Sequence, residues 1–414
     1  MTLMTIPNHS CLYCGSSGPF SDEHVISAGM GGDDNRFVLK NCVCRTCNTE
    51  IFSPLELEVL RSSPLAIGRI FMQPLGRKRG KSTNLPKLQA KSKAMISESG
   101  RPLDFEFGQN AKPILIPQLT MVGQSAFESN SDTGLELQEF VEVARRLFNE
   151  PIVLIRKLVG EVKSTFELAR WVWADGEYVE AGEAEIAAKP PVGGIWFERM
   201  EQSGDEPSPY LARLFQTGTK SVGLRVACEM APQAALIFFR KAIEQIDFST
   251  TVESLITNPV VSVGMTISVG MMDRVMTKIG LNILAFVAGP DYLRHPAFDE
   301  IKKSVMTGRP ELQMTPGDEA GQVKFIFDRV PAGHHVFFIS GMYLPDGKYA
   351  LGMTMKLYGS SGSFVKLGID VPEPPVPMPI IFTADYTTHS VKQWSLIEFS
   401  KLLRDCWQEG SSLR

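Results

Sequence analysis

Two Cys-x-x-Cys pairs, Cys11/Cys14 and Cys44/Cys47, open the chain with 29 residues between them. Four thiolates at this spacing suit one tetrahedral zinc ion, and a site closed by four protein ligands leaves no position for water. Such a metal holds a fold and does no chemistry itself. A plain zinc ribbon separates its pairs by about 15–20 residues. The longer interval here carries Ser21-Asp22-Glu23-His24-Val25-Ile26, then Gly31-Gly32 and Asn35, and Asn48 follows the last thiol directly. Chemistry on this chain is therefore expected in what the stapled loop displays. Cys42 lies beside the second pair and is expected to be a spare thiol, because the Cys-x-x-Cys spacing favours Cys44 as the ligand.

Hydrolysing a phosphodiester needs a water made nucleophilic and a cation to neutralise charge developing on the phosphate and the leaving oxygen. A histidine suits the first task and a divalent ion the second. Glu23 and His24 are adjacent, so within a strand they point to opposite faces, while at a strand end both can reach one pocket. Asn48 sits on the element anchored by the second cysteine pair, which the metal would bring back against the strand bearing His24.

The order Cys11-x-x-Cys14, Ser21 to Ile26, Gly31-Gly32, Asn35, Val38-Leu39 and Cys44-x-x-Cys47-Asn48 resembles the zinc-stapled branch of the HNH endonuclease family, the ββα-metal nucleases. The match spans roughly residues 10–60. By this resemblance His24 is the general base, Glu23 and Asn48 bind a catalytic Mg²⁺ or Mn²⁺, Asn35 orients the histidine, and the four cysteines hold structural zinc. Asn41 is the rival to Asn35 for the middle place. The sequence departs from the family's frequent pattern in having Glu for Asp before the histidine, with Asp22 a competitor for that role, and Ser27 for the usual proline. The resemblance implies a DNA endonuclease, with RNA an alternative target; a double-strand cut would need a homo-oligomer or two successive nicks. The competing expectation is a zinc-containing nucleic-acid-binding or regulatory protein that has lost activity.

Charge separates the head from the rest. Overall the chain carries −4, yet residues 1–100 hold 12 Lys and Arg against 8 Asp and Glu. A basic head on an acidic body suggests that the head faces a polyanion. Seven basic residues and no acid fall between Arg77 and Lys93 (Arg77, Lys78, Arg79, Lys81, Lys87, Lys91, Lys93), a linker or a phosphate-contacting arm. The remaining cysteines, Cys228 and Cys406, form no disulfide framework, so a reducing compartment is expected. Residues 1–10 lack a secretory pattern, and the longest apolar stretch, about fourteen residues from Pro259 to Met272, is too short to cross a bilayer. A cytoplasmic location with no membrane partner is the expectation.

The expected fold class is α+β: a small zinc-stabilised ββα head at 1–70, a basic linker at 71–100, and a larger mixed α+β domain at 101–414 of recognition, assembly or sensing role. By analogy with nucleases fused to large modules, that body would restrain or direct the nuclease, as in defence against foreign DNA. Apolar stripes predict helices through Leu137, Phe140, Val141, Ala144, Leu147 and Phe148, through Ala234, Phe238, Phe239, Ala242, Ile243 and Ile246, and through Met272, Val275, Ile279, Ile283 and Phe286. Phe105 to Val122 reads as two strands, Trp171 to Trp173 as another, and short strands dominate from Val323 on, with turns at Pro345-Asp346-Gly347 and Gly359 to Gly362. His334 and His335 read as opposite faces of a strand and His295 as a loop residue. Arg274 and Lys278, one turn apart, face either solvent or phosphate.

Overall fold

A computed structural model describes residues 10–411, apart from 34, 77, 80–81, 84, 90–91, 97–99, 101, 159–164, 201–209, 251–255, 257–258, 266–267, 317–325 and 361. Most of the basic segment from Arg77 to Lys93 lies outside the residues whose side chains are described. The chain is mixed α and β and divides into two compact units. The first is discontinuous: Met1–Lys91, Gln109–Ala111 and Gly264–Arg414; the second is Ser92–Gly108 with Lys112–Val263. The sequence boundaries at 70 and 100 group the chain differently, because the head shares its unit with residues more than 170 positions away.

In the first unit, strands β1 (Phe20–His24) and β2 (Val38–Cys44) pair antiparallel, with a register irregularity between Ser21 and Glu23. Opposite that irregularity Asn41 adopts φ 56°, a left-handed conformation that asparagine tolerates better than most residues. A wide helical turn, Cys47–Phe52, leads into α1 (Ser53–Ser62) and then α2 (Pro64–Met72), whose start is capped by the Ser63 hydroxyl accepting from the Leu65 N–H. The loop between the strands needs its two glycines. A Cβ on Gly32 would lie 2.0 Å from the Ile26 carbonyl oxygen, and Gly31, at φ 89°, backs onto Tyr386.

The later part of this unit begins with a long helix, Val269–Ala288, and ends with a helix at Leu396–Ser411. Between them six antiparallel strands form a sheet in the order Met314–Pro316, Ser363–Ile369, Tyr349–Lys356, His334–Tyr343, Ile380–Asp385, Ser390–Trp394. The turn at Pro345-Asp346-Gly347 joins two of them as the sequence indicates, with the Gly347 N–H donating to the Leu344 carbonyl. The long helix is buried nearly all round from Val275 to Ala285, which explains its sparse polar residues. One hydrophobic core runs from Val25, Val43 and Phe52 in the head through Ile279 and Ile283 to Met353 and Phe382 in the sheet. The ring of Phe37 sits 5.4 Å from that of Phe286 and 5.6 Å from that of Phe382, so head, helix and sheet meet directly.

The second unit is built on a nine-stranded sheet, with helices Gly134–Asn149 and Pro232–Gln245 sharing its core. The first helix buries Leu137, Phe140, Val141, Ala144 and Phe148, as its stripe predicts. The second buries Ala235, Leu236, Phe239, Ala242 and Ile243, so its inward face is turned slightly from the predicted one and Ala234 is exposed. Three strands, Phe105–Phe107, Pro113–Leu115 and Gln118–Val122, replace the two expected there. Asp104 is buried between Arg213 and Arg225, at 2.6 and 2.5 Å. Among the described residues no helix is long and apolar enough to cross a membrane.

Candidate functional site

The four cysteines converge. Their sulfurs all lie within 4.8 Å of one another, with Cys11 and Cys47 at 3.8 Å and Cys14 and Cys44 at 3.5 Å. A tetrahedral zinc ion with bonds of about 2.3 Å spaces its sulfurs about 3.8 Å apart, so these residues fit a structural metal such as zinc. Backbone N–H groups point at the sulfurs, from Cys44 to Cys11 Sγ at 3.3 Å and from Cys47 to Cys44 Sγ at 3.4 Å. Hydrogen bonding between the Cys11 and Cys47 thiols lowers Cys11 to about 4, with burial opposing it, and raises Cys47, so the two share one proton. Cys42 stands outside the set: it is buried and its Sγ contacts the Lys40 carbonyl.

The cysteine set brings the start of the helical segment back to β1. There the Asn48 side-chain amide donates to the Asp22 carbonyl at 2.8 Å. Along β1 the side chains alternate: Asp22 is exposed, Glu23 is 3% exposed and His24 is part-buried. Asp22 and His24 therefore share one face of the strand, and Glu23 takes the other. Asn35 is exposed in the loop before β2, its backbone N–H donating to Asp33 Oδ1 at 2.7 Å. Asn41 is exposed too, at the irregularity of β2.

The inward face of β1 meets the long helix. Lys278, 1% exposed, makes ion pairs with both Glu23 and Glu56. Asn282 donates through Nδ2 to Glu23 Oε1 and to the His24 carbonyl, each at 3.0 Å, while its Oδ1 accepts from the Tyr13 hydroxyl at 2.6 Å. The Ser27 hydroxyl donates to Glu56 at 2.7 Å, and Lys278 Nζ stands 5.2 Å from the Phe52 ring centre. Burial pushes the Glu23 carboxyl up, with Lys278 pulling it down and Glu56 raising it further. Burial acts to depress the Lys278 ammonium, but Glu23 and Glu56 outweigh it and hold the amine protonated beyond the usual lysine range.

Glu23 is therefore poorly fitted to bind a divalent cation in this arrangement. Two unit charges 4 Å apart interact by about 4 kcal/mol in an effective dielectric near 20, so a divalent ion beside the ammonium would meet about twice that repulsion. The sequence leaves Lys278 between solvent and phosphate; it faces neither. Arg274, its neighbour one turn back, donates to the carbonyls of Val305 and Met306. Lys278, Asn282, Glu56 and Tyr13 are the site residues that sequence reasoning missed. One signal was available: Lys278 and Asn282 are i and i+4 on an otherwise apolar helix, and buried polar groups need partners.

Elsewhere, His334 and His335 do part to different environments. His335 is fully buried, accepting through Nδ1 from the Tyr358 N–H at 3.3 Å, and His334 Nδ1 contacts the Ala332 carbonyl. His295 begins a short turn, its Nδ1 accepting from the Ala297 N–H. No protein-family model matches the chain, and no curated protein or solved structure matches it either.

Proposed function

We propose that the chain is a metal-dependent endonuclease of the HNH type that hydrolyses DNA phosphodiester bonds at its N-terminal head. The observation that carries this reading is the clamp itself: four converging sulfurs, an antiparallel strand pair, and a following helical segment whose first free residue, Asn48, reaches the strand that ends in His24. In this reading the cysteines hold structural zinc, and His24 accepts the proton of the attacking water as general base. A bound Mg²⁺ or Mn²⁺ would supply charge neutralisation at the phosphate and the leaving 3′ oxygen. Asn282 donates to the His24 carbonyl, which ties the strand end that carries the imidazole to the long helix. The basic composition of residues 1–100 suits a phosphate backbone.

A second reading is favoured by one observation, the engagement of Glu23 by Lys278. It makes the chain a zinc-containing nucleic-acid-binding or regulatory protein without catalysis. Purified full-length protein with Mg²⁺ or Mn²⁺ is expected to nick supercoiled plasmid, and His24→Ala to abolish nicking with zinc content unchanged. Equal behaviour of wild type and variant across several metals would select the second reading. The same pair assayed on labelled RNA decides the nucleic acid.

A further inference from the structure

The acid next to the histidine faces inward, and the acid before it faces outward. Glu23 has its carboxylate occupied by two groups of the long helix, the Lys278 ammonium and the Asn282 amide, and is closed off from solvent. Freeing it for a metal would leave Lys278 buried with Glu56 as its remaining ion-pair partner among the described residues. Among the described residues no such pair engages the Asp22 carboxylate, which is exposed on the face that β1 gives to His24. The Asn48 amide donates to the Asp22 backbone carbonyl, so the start of the helical segment reaches β1 at the residue that carries the exposed acid. Hard divalent cations take such oxygens: one or two carboxylate or amide groups, with water filling the other positions.

We infer that Asp22 and Asn48, and not Glu23, take the divalent cation beside His24, and that Glu23 belongs to the buried scaffold that ties β1 to the long helix. This rests on the nuclease reading for the cation's task, but the assignment of the carboxylate stands on the alternation of β1 and the contacts of Lys278 and Asn282. The serine–acid–acid–histidine run thus divides its two acids, one for the surface and one for the interior.

The test is a Mn²⁺ titration of zinc-loaded, full-length protein, followed by the electron paramagnetic resonance signal of the free ion. Wild type, Asp22→Asn, Asn48→Ala and Glu23→Gln are compared, with zinc content and urea midpoint measured on each. Asp22→Asn and Asn48→Ala are expected to weaken Mn²⁺ by about tenfold or more, with the zinc content of wild type. Glu23→Gln is expected to keep Mn²⁺ affinity within about threefold, which is under 0.7 kcal/mol, while shifting the urea midpoint. Wild type that binds no Mn²⁺, an Asp22→Asn variant that binds as wild type does, or a folded Glu23→Gln variant that loses the ion would each overturn the assignment. Mn²⁺ binding that depends on Asp22 in a protein that never nicks nucleic acid would keep the assignment and remove the nuclease reading.

Discussion

At the scale of single residues, the decisive contact is Lys278 between Glu23 and Glu56. Removing one partner of a buried ion pair costs more than the pair is worth, because the charge left behind has lost both water and its counter-ion. Lys278→Met is therefore expected to destabilise the first unit by about 3–5 kcal/mol in urea unfolding. Adding Glu23→Gln to it should recover part of that loss, and a double variant no better than the single would show that the pair is not what the lysine stabilises. The pH dependence follows from the direction of the Glu23 shift. Burial raises its folded carboxyl above the unfolded value, so between the two values the folded state binds more protons and stability rises as pH falls. Lys278 opposes that rise, hence the deficit of Lys278→Met should shrink as pH is lowered from 7.5 toward 5. The cysteine set was legible because each pair is written in local Cys-x-x-Cys spacing. Lys278 was not, since its partner Glu56 lies 222 residues away and no local pattern records the pairing.

Secondary structure was easier to read where one element buries one stripe, as in Gly134–Asn149, than where it is buried all round, as in Val269–Ala288. In the latter the apolar period locates the helix but cannot say which side meets the head. The strand His334–Tyr343 shows what is gained from pairing: alternation divides His334 from His335, and sheet packing then determines what each becomes. His335 lies among the rings of Tyr358 and Tyr386, at 4.4 and 4.7 Å, and its Nε2 has no hydrogen-bond partner among the described residues. Burial, with a smaller contribution from His334, lowers it to about 3. The unfolded chain takes up a proton near pH 6.5 while the folded one does not until about 3, so stability present above pH 6.5 is lost as pH falls. The slope is at most about 1.4 kcal/mol per pH unit. The stability difference between wild type and His335→Phe, read from urea midpoints, should therefore shift against the wild type between pH 7 and 5, the variant losing less as pH falls. An unchanged slope in the variant would show that other groups dominate acid sensitivity.

For the molecule as a whole, the chain leaves the first unit after Lys91 and returns to it at Gly264, passing through Gln109–Ala111 on the way. Composition marks the basic segment but not this return, because a discontinuous unit is defined by packing between distant residues and leaves no boundary signal at either seam. The consequence concerns what the metal stabilises. Cys11, Cys44 and Cys47 belong to the same core as Ile279, Ile283 and Phe382, whereas the second unit has its own core around Phe140, Leu214 and Phe239. Structural zinc sites of this kind contribute on the order of 10 kcal/mol to the fold they close. Stripping the metal with a chelator is therefore expected to loosen residues 264–411 together with 10–75, and to leave 112–250 intact. Limited proteolysis read by mass spectrometry, with and without chelator, checks this. Early cleavage confined to residues 10–75 would mean that the head opens alone and that the long helix keeps its packing without it. Concerted exposure of both segments would mean that the thiol-clamped head and the helix bearing Lys278 fold as one cooperative body. In that case residues 1–70 expressed alone should fail to give a stable fold even with zinc, since Val25, Val43 and Phe52 would lose the apolar surface they pack against.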